Sequence, residues 1–181
     1  MIRAGVWWDM LDHRRGRVYL AATDKGLCLL GLPGEGEAAF LVRLGRILPE
    51  RPAERDPVRL APYRREVGEY LDGRRRAFTL PLDLVGTPFQ RRVWDALRAV
   101  PYGAVVTYAE LARRVGRAGA ARAVGAACRA NPVPLVIPCH RVVGRSGALT
   151  GYRGGLALKA ELLALEGVLP AARHRPAGRD A

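Results

Sequence analysis

The segment Asn131-Pro132-Val133-Pro134-Leu135-Val136-Ile137-Pro138-Cys139-His140-Arg141-Val142-Val143 sets the tightest limit on how this chain can fold. Pro132, Pro134 and Pro138 each remove a backbone donor and fix φ, so no regular helix can run through the segment. Leu135-Val136-Ile137 reads as a short buried extended stretch. It places a thiol, Cys139, beside an imidazole, His140, and a guanidinium, Arg141, on a stiff backbone. Those neighbours suit an activated nucleophile. An isolated Cys-His pair is more commonly a buried structural thiol, so the surrounding sequence has to decide.

The chain has 181 residues, 49% of them hydrophobic, enough for a packed core in one domain or two small ones. No run approaches about 18 apolar residues, so no membrane span is expected. The stretch Met1 to Asp9 has no apolar signal core, and a cytoplasmic location is expected. Cys28, Cys128 and Cys139 are odd in number and far apart. They argue against a disulfide framework and a Cys-rich zinc site, and they fit a reducing compartment.

The formal net charge is +13. Its distribution is more telling than its size. No acidic residue lies between Leu111 and Ala160, yet Arg113, Arg114, Arg117, Arg122, Arg129, Arg141, Arg145, Arg153 and Lys159 all do. An acid-free arginine cluster around the candidate nucleophile points to a polyanionic partner.

In the N-terminal half, 17–23 and 26–32 flank Asp24-Lys25, and Gly26 can take a positive φ. The pattern predicts a β-hairpin, with 2–10 as a third strand. Residues 35–48 suit a helix on that sheet, 51–56 a loop, and 62–72 a second helix stopped by Gly73. Phe78 to Leu82 reads as an edge strand. Trp7-Trp8 suits core packing better than a stacking platform. No residue of this half carries recognisable chemistry, and a boundary falls between Asp83 and Pro88.

In the C-terminal half, 88–99 reads as a helix with Thr87 as N-cap and Pro88 at its first position. Thr107-Tyr108-Ala109-Glu110 fits a capping box, with Val106 and Leu111 as its hydrophobic staple. That helix runs to Val115, and a second spans 120–130. Its apolar face is Ala123, Val124, Ala127 and Cys128, and its other face is Arg122, Gly125, Ala126 and Arg129. Two short helices in a basic region read as a helix-turn-helix, whose small residues would let it lie close to a phosphate backbone. The pattern describes an ordinary helical hairpin with solvated arginines equally well. A Gly-rich loop, Ala148 to Gly155, leads into a last helix over 156–166. Glu166 stands near its C-terminus, where the dipole disfavours an anion. It therefore needs a cationic or hydrogen-bonding partner, for which a His is a candidate. Residues 169–181 lack apolar bulk and read as a disordered tail.

Pro138-Cys139-His140-Arg141-Val142 resembles the active-site motif of the O6-alkylguanine-DNA alkyltransferases. The likeness extends through Pro88-Phe89-Gln90, Val93-Trp94, Pro101-Tyr102-Gly103, Thr107-Tyr108 and Ala121-Arg122-Ala123-Val124-Gly125. It continues at Asn131-Pro132, Gly154-Gly155-Leu156, Lys159, Leu162-Leu163 and Glu166-Gly167. This covers nearly all of 86–167, in order. The resemblance implies an α+β fold: a ribonuclease-H-like sheet-and-helix module over 1–85, then a mostly helical, winged helix-turn-helix-like DNA-binding domain over 86–168.

The resemblance also implies roles. Cys139 would accept the alkyl group, with His140 as base through a bridging water and Glu166 polarising that histidine. Asn131 would brace the turn. Tyr108 would press on a phosphate and donate to guanine N3. Arg122 would fill the stack after the base is flipped, with Gly125, Ala126 and Arg129 against DNA. The carbonyls of Cys139 and Val142 would take the guanine amino group, and Tyr152, Arg153 and Gly154 would wall the pocket. Arg153 stands where a small polar residue is expected. The implied partner is double-stranded DNA containing O6-alkylguanine, bound through its phosphates with little regard to sequence. A monomer with no cofactor, no metal and no membrane is expected. Transfer would occur once per molecule, with O4-alkylthymine as a further substrate. Three other readings are a non-catalytic alkylated-DNA binder, which Cys139 argues against, a helix-turn-helix regulator, and a Cys-His hydrolase.

Overall fold

The computed structural model describes residues 5–49 and 51–169. Most of the expected tail, and residues 2–4 of the expected first strand, lie outside them. The hairpin forms as its sequence requires. Strand β1 (Val6–Leu11) pairs antiparallel with β2 (Val18–Thr23), and β2 with β3 (Gly26–Gly31). Gly26 makes the turn at φ +143°. A Cβ there would also strike the Pro81 carbonyl at 2.4 Å, so the residue is needed twice over. The β2–β3 register shifts between Ala21 and Ala22, where Cys28 is the extra residue of a bulge and donates its thiol to the Ala21 carbonyl at 3.2 Å.

Both faces of this sheet are covered, which accounts for the near-continuous apolar runs in β2 and β3. Tyr19, Ala21 and Leu29 pack with Phe40 and Leu44 of helix α1 (Glu37–Ile47). Trp8 joins that cluster, and Arg59 lies over the Trp7 ring at 4.0 Å. Leu20, Ala22, Leu27 and Leu30 pack on the other side with helix α2 (Ala61–Leu71) and with the C-terminal half. One core cluster therefore contains Leu20, Val67, Trp94, Ile137 and Cys139 alike.

Two expectations in this half are corrected. Residues 51–56, read as a loop, contain strand β4 (Ala53–Arg55), parallel to β1 at the sheet edge. The segment is too short and polar to show strand periodicity; backbone pairing alone defines it. Phe78 to Leu82, read as an edge strand, makes only one bridge, Leu82 beside Leu27. Glu66, a buried carboxylate, holds this segment by accepting from the Thr79 backbone N–H and hydroxyl.

Helix α3 (Pro88–Arg98) starts with a full capping box. Thr87 Oγ1 accepts from Gln90 N and the Gln90 amide oxygen accepts from Thr87 N. Trp94 is fully buried, and its indole N–H donates to the Ala127 carbonyl at 2.9 Å, which locks α3 against the fifth helix. Strand β5 (Val106–Thr107) leads into helix α4 (Tyr108–Arg114), whose predicted capping box between Thr107 and Glu110 is present. Helix α5 (Ala121–Arg129) buries Val124 and Ala127 and exposes Arg122, Ala126 and Arg129. Ala123, expected on the apolar face, is exposed, because that face is narrower than the spacing suggested. Strand β6 (Val142–Val143) pairs parallel with β5, and helix α6 (Gly155–Leu165) closes the chain's core.

The Thr107 box fixes where α4 begins and so where Tyr108 stands. Thr107→Ala should lower stability by about 1 kcal/mol, read from the denaturant midpoint, and Thr107→Ser should restore most of it. An unchanged midpoint for Thr107→Ala would show that the cap does not hold the helix start.

Candidate active site

The proline-rich segment is not extended as its sequence suggested. Leu135 has φ +75°, the one non-glycine residue with positive φ among those described. A left-handed leucine costs of the order of 1 kcal/mol, so its surroundings must hold it. Ile137 N donates to Val133 O at 2.9 Å, and Pro134 bridges Ile137, folding 133–137 into a tight turn. Pro138, at φ −81° and ψ 63°, then forms an inverse γ-turn, with Cys139 N donating to Ile137 O at 2.8 Å. Sequence periodicity cannot reveal such a turn, because Leu, Val and Ile are all buried in either conformation.

Asn131 ties the turn together. Its Oδ1 accepts from Val133 N at 3.0 Å, and its Nδ2 donates to Ile137 O at 2.8 Å and to Cys139 Sγ at 3.3 Å. The N-terminal sheet braces the turn from behind, where Leu30 N donates to the Pro132 carbonyl at 2.8 Å. Cys139 opens a single 3₁₀ turn, Cys139–Arg141, and is 8% exposed. Burial pushes its thiol pKa up. The Asn131 hydrogen bond and the charges of Arg153 and Lys159 oppose that push without reversing it. The resting thiol is therefore protonated.

His140 is fully buried, and burial lowers its pKa against the pull of Glu166. Its Nε2 lies 2.8 Å from Glu166 Oε1 and 3.1 Å from Tyr70 Oη. Tyr70 Oη in turn donates to Glu166 Oε1 at 2.6 Å. Arg141 donates from Nε and Nη2 to the two Glu166 oxygens, each at 2.9 Å, and Gly103 N donates to Oε2 at 3.1 Å. Burial alone would raise the Glu166 pKa, but the bonds from His140 and Arg141 outweigh it and hold the carboxyl at about 2. An ionised Glu166 requires the proton of a neutral His140 on Nε2. That leaves Nδ1 as the basic nitrogen, and Nδ1 has no protein partner among the described residues.

The predicted His–Glu pairing is thus present, but Arg141 serves the carboxylate and the Val100 carbonyl instead of the thiol. Three residues that sequence reasoning did not assign enter the site. Tyr70 comes from α2, in the half where no chemistry was legible. Arg141 was read as a neighbour of the thiol. Lys159 is fully buried, and its Nζ donates to Val142 O at 2.5 Å and Thr150 O at 2.7 Å. The Val142 carbonyl, expected to meet the guanine amino group, is therefore already engaged. The Cys139 carbonyl likewise accepts from Val142 N.

Over Cys139 lies a narrow cavity of about 10 Å³, walled by Cys128, Arg129, Asn131, Pro134, Gly151, Tyr152 and Arg153. That is about the space one water molecule needs. Tyr152 Oη is buried with no protein partner among the described residues. A Cβ on Gly154 would meet the terminal methyls of Leu158 at 2.6 Å and Leu32 at 3.1 Å, so those side chains would have to shift to admit one. Beside the cavity an open groove is lined by Tyr108, Ala121, Arg122, Gly125, Arg129 and Gly151. The helix-turn-helix face and the thiol therefore open to the same side. A Cβ on Gly125 would make only ordinary contacts inside the protein, 3.7 Å to Tyr108 and 3.8 Å to Arg129.

The depressed Glu166 pKa has a measurable sign. Its contribution to stability is whole above the ordinary value of 4.5 and is lost as pH falls toward about 2. Glu166→Gln should flatten the dependence of unfolding free energy on pH in that window, whereas an equal slope in both proteins would mean the carboxylate is not held. Asn131→Ala leaves Val133 N and the Ile137 carbonyl buried without their partner and should cost about 1–3 kcal/mol in chemical denaturation.

Comparison with known proteins gives this geometry a family. Residues 88–168 match the profile of the 6-O-methylguanine DNA methyltransferase DNA binding domain, and residues 6–84 match the ribonuclease-like domain of the same proteins. The inducible methylated-DNA--protein-cysteine methyltransferase of Bacillus subtilis is 40% identical over 161 residues, covering 89% of this chain and 90% of that protein. The bifunctional transcriptional activator/DNA repair enzyme Ada of Escherichia coli is also 40% identical over 161 residues, although the match spans only 45% of its length. Among solved structures, Mycobacterium tuberculosis OGT in complex with DNA superposes with a TM-score of 0.77 at 37% identity, over 88% of this chain and 92% of that one. With two family profiles spanning all but a few of the described residues and a relative matched almost end to end, the chain belongs to the 6-O-methylguanine DNA methyltransferase family.

Proposed function

We propose that this protein reverses O6-alkylguanine, and O4-alkylthymine as a second substrate, by moving the alkyl group to Cys139 Sγ once per molecule. The observation that carries the assignment of Cys139 is its place on a braced turn at the base of the cavity, beside His140, whose basic Nδ1 has no protein partner. The lesion in duplex DNA is out of reach of a thiol held there. The base must therefore leave the stack, at a cost of a few kcal/mol. The open groove supports DNA docking through α5. Arg122 fills the gap in the stack, while Gly125, Ala126 and Arg129 lie along the phosphates. In the free protein Tyr108 Oη donates to Thr150 O at 3.3 Å, and guanine N3 takes over that hydrogen bond on binding.

The chemistry is an in-line displacement. The Cys139 proton passes through a bridging water to His140 Nδ1. The sulfur lone pair forms the S–C bond as the C–O6 bond breaks, and the electron pair stays on guanine O6. The charge that develops on His140 is met through Nε2 by Glu166, which Arg141 and Tyr70 keep ionised and in place. The Cys139 thiolate is a poor leaving group from a thioether, and Cys128, the other thiol on the cavity wall, is kept protonated by burial that pushes its pKa up to about 12, so turnover stops at one. The arginine-rich, acid-free stretch from Leu111 to Ala160 supports binding that depends on phosphates and little on sequence.

Intact mass spectrometry after incubation with a duplex carrying one O6-methylguanine tests the assignment. The expected result is a gain of one methyl for one hydrogen, located on Cys139 and saturating at one equivalent. Repeated turnover, or a methyl group on another residue, would sink it. Arg122→Ala should slow transfer from duplex by about tenfold, equivalent to 1.4 kcal/mol of lost stack filling, and should slow it less on single-stranded substrate. Equal slowing on both substrates would contradict the stack-filling role.

A further inference from the structure

The cavity over Cys139 has room for about one water molecule, yet the reaction needs a purine there. Some part of the wall must move. Asn131 and Pro134 belong to the hydrogen-bonded turn, Cys128 is carried on α5, Gly151 has no side chain, and Tyr152 Oη is buried. The exposed side chains of the wall are Arg129 and Arg153. Arg153 Nη2 donates to the carbonyl of Arg129, the last residue of α5. A guanidinium on a carbonyl at a helix C-terminus is a favourable pairing. Here it ties the Gly-rich loop to the recognition helix at the edge of the cavity.

Arg153 also borders a second space. An open cleft of about 440 Å³ lies on its other side, lined by Leu32, Pro33, Glu35, Arg43, Gly154 and others. The Glu35 carboxylate there is fixed by Arg43 Nη1, at 2.6 and 2.7 Å from its two oxygens. A carboxylate has about four acceptor positions, so Glu35 can hold a second guanidinium beside that of Arg43. The field of Arg153 already reaches this cleft. The Arg43 pKa is lowered first by burial and next by the charge of Arg153. Gly151 at φ +45° and Gly155 at φ +85° flank the side chain with backbone that only glycine adopts freely.

We propose that Arg153 is the gate of the alkyl-acceptor pocket: latched on the Arg129 carbonyl it closes the cavity, and to admit a base it crosses to Glu35 of the N-terminal module. The proposal rests on Cys139 being the alkyl acceptor. It makes Arg153 and Glu35 specificity-determining residues. A bulky O6 substituent needs the gate held fully open, whereas a small electrophile reaches the thiol with the gate only partly displaced. The cost of parting Arg153 from Arg129 is offset at Glu35, so the N-terminal module takes part in selecting the substrate.

The test compares the rate at which Cys139 reacts with free O6-benzylguanine and with methyl methanethiosulfonate, a small thiol reagent. Taking the ratio cancels any change in thiol ionisation. Arg153→Ser should raise the ratio about tenfold. Glu35→Gln should lower it several-fold when Arg153 is present and leave it unchanged in the Arg153→Ser background. The gate is overturned if Arg153→Ser leaves the ratio unchanged, or if Glu35→Gln has the same effect in both backgrounds. Methyl transfer from O6-methylguanine duplex to Cys139 is measured alongside. If that transfer succeeds in every variant while the ratio does not move, the gate alone falls. If no transfer reaches Cys139, the acceptor assignment falls and the gate with it.

Discussion

Glu166 is the point on which the two halves of the chain converge. Its two oxygens accept from Tyr70 of the N-terminal helix α2, His140 and Arg141 of the motif, and Gly103 of the turn after α3. A carboxylate with no exposed side-chain surface is costly to desolvate, and only a full set of donors offsets that cost. It also stands at the C-terminal end of α6, where the helix dipole adds to the penalty. Removing one donor leaves the charge underpaired, while the surrounding packing still holds it in place. The register of α2, the 3₁₀ turn at the motif and the end of α6 are thereby all fixed to one another. His140 inherits its tautomer from this arrangement, since an ionised carboxylate at Nε2 leaves only Nδ1 to act as a base.

The thiol itself is held by different means. The turn that carries it contains a left-handed leucine, a conformation that persists only where neighbours enforce it, followed by an inverse γ-turn at proline. Asn131 supplies three of those bonds and the N-terminal sheet supplies another through Leu30. Burial keeps the thiol protonated, which protects it from casual oxidation and alkylation in solution. Under the proposed single transfer, a thiol that stays protonated until an electrophile is in place is not spent in advance.

Much of this was legible in the sequence because it is encoded locally. The capping box at Thr107, the Pro88 helix start, the hairpin at Gly26 and the acid-free arginine stretch each depend on residues a few positions apart. The need of Glu166 for a partner was also legible, since a lone acid at a helix C-terminus in a basic region is anomalous. Tyr70 was not, because nothing within α2 distinguishes a tyrosine that packs from one that also donates 96 positions away. Strand β4 escaped for a similar reason: three residues, two of them charged, carry no periodicity, and only pairing with β1 defines them. Leu135 escaped because burial, the one property its sequence reveals, is the same in a turn and in a strand.

The sheet of the N-terminal half has no free face. One side is closed by α1, and the other is shared with α3, α5 and the motif in a single apolar cluster that includes Cys139. The two family profiles divide the chain near residue 86, but the core does not divide there. A change in the size of Leu20 or Val67 propagates into the packing beneath Cys139. A half taken from a relative would have to match the apolar surface that the other half buries.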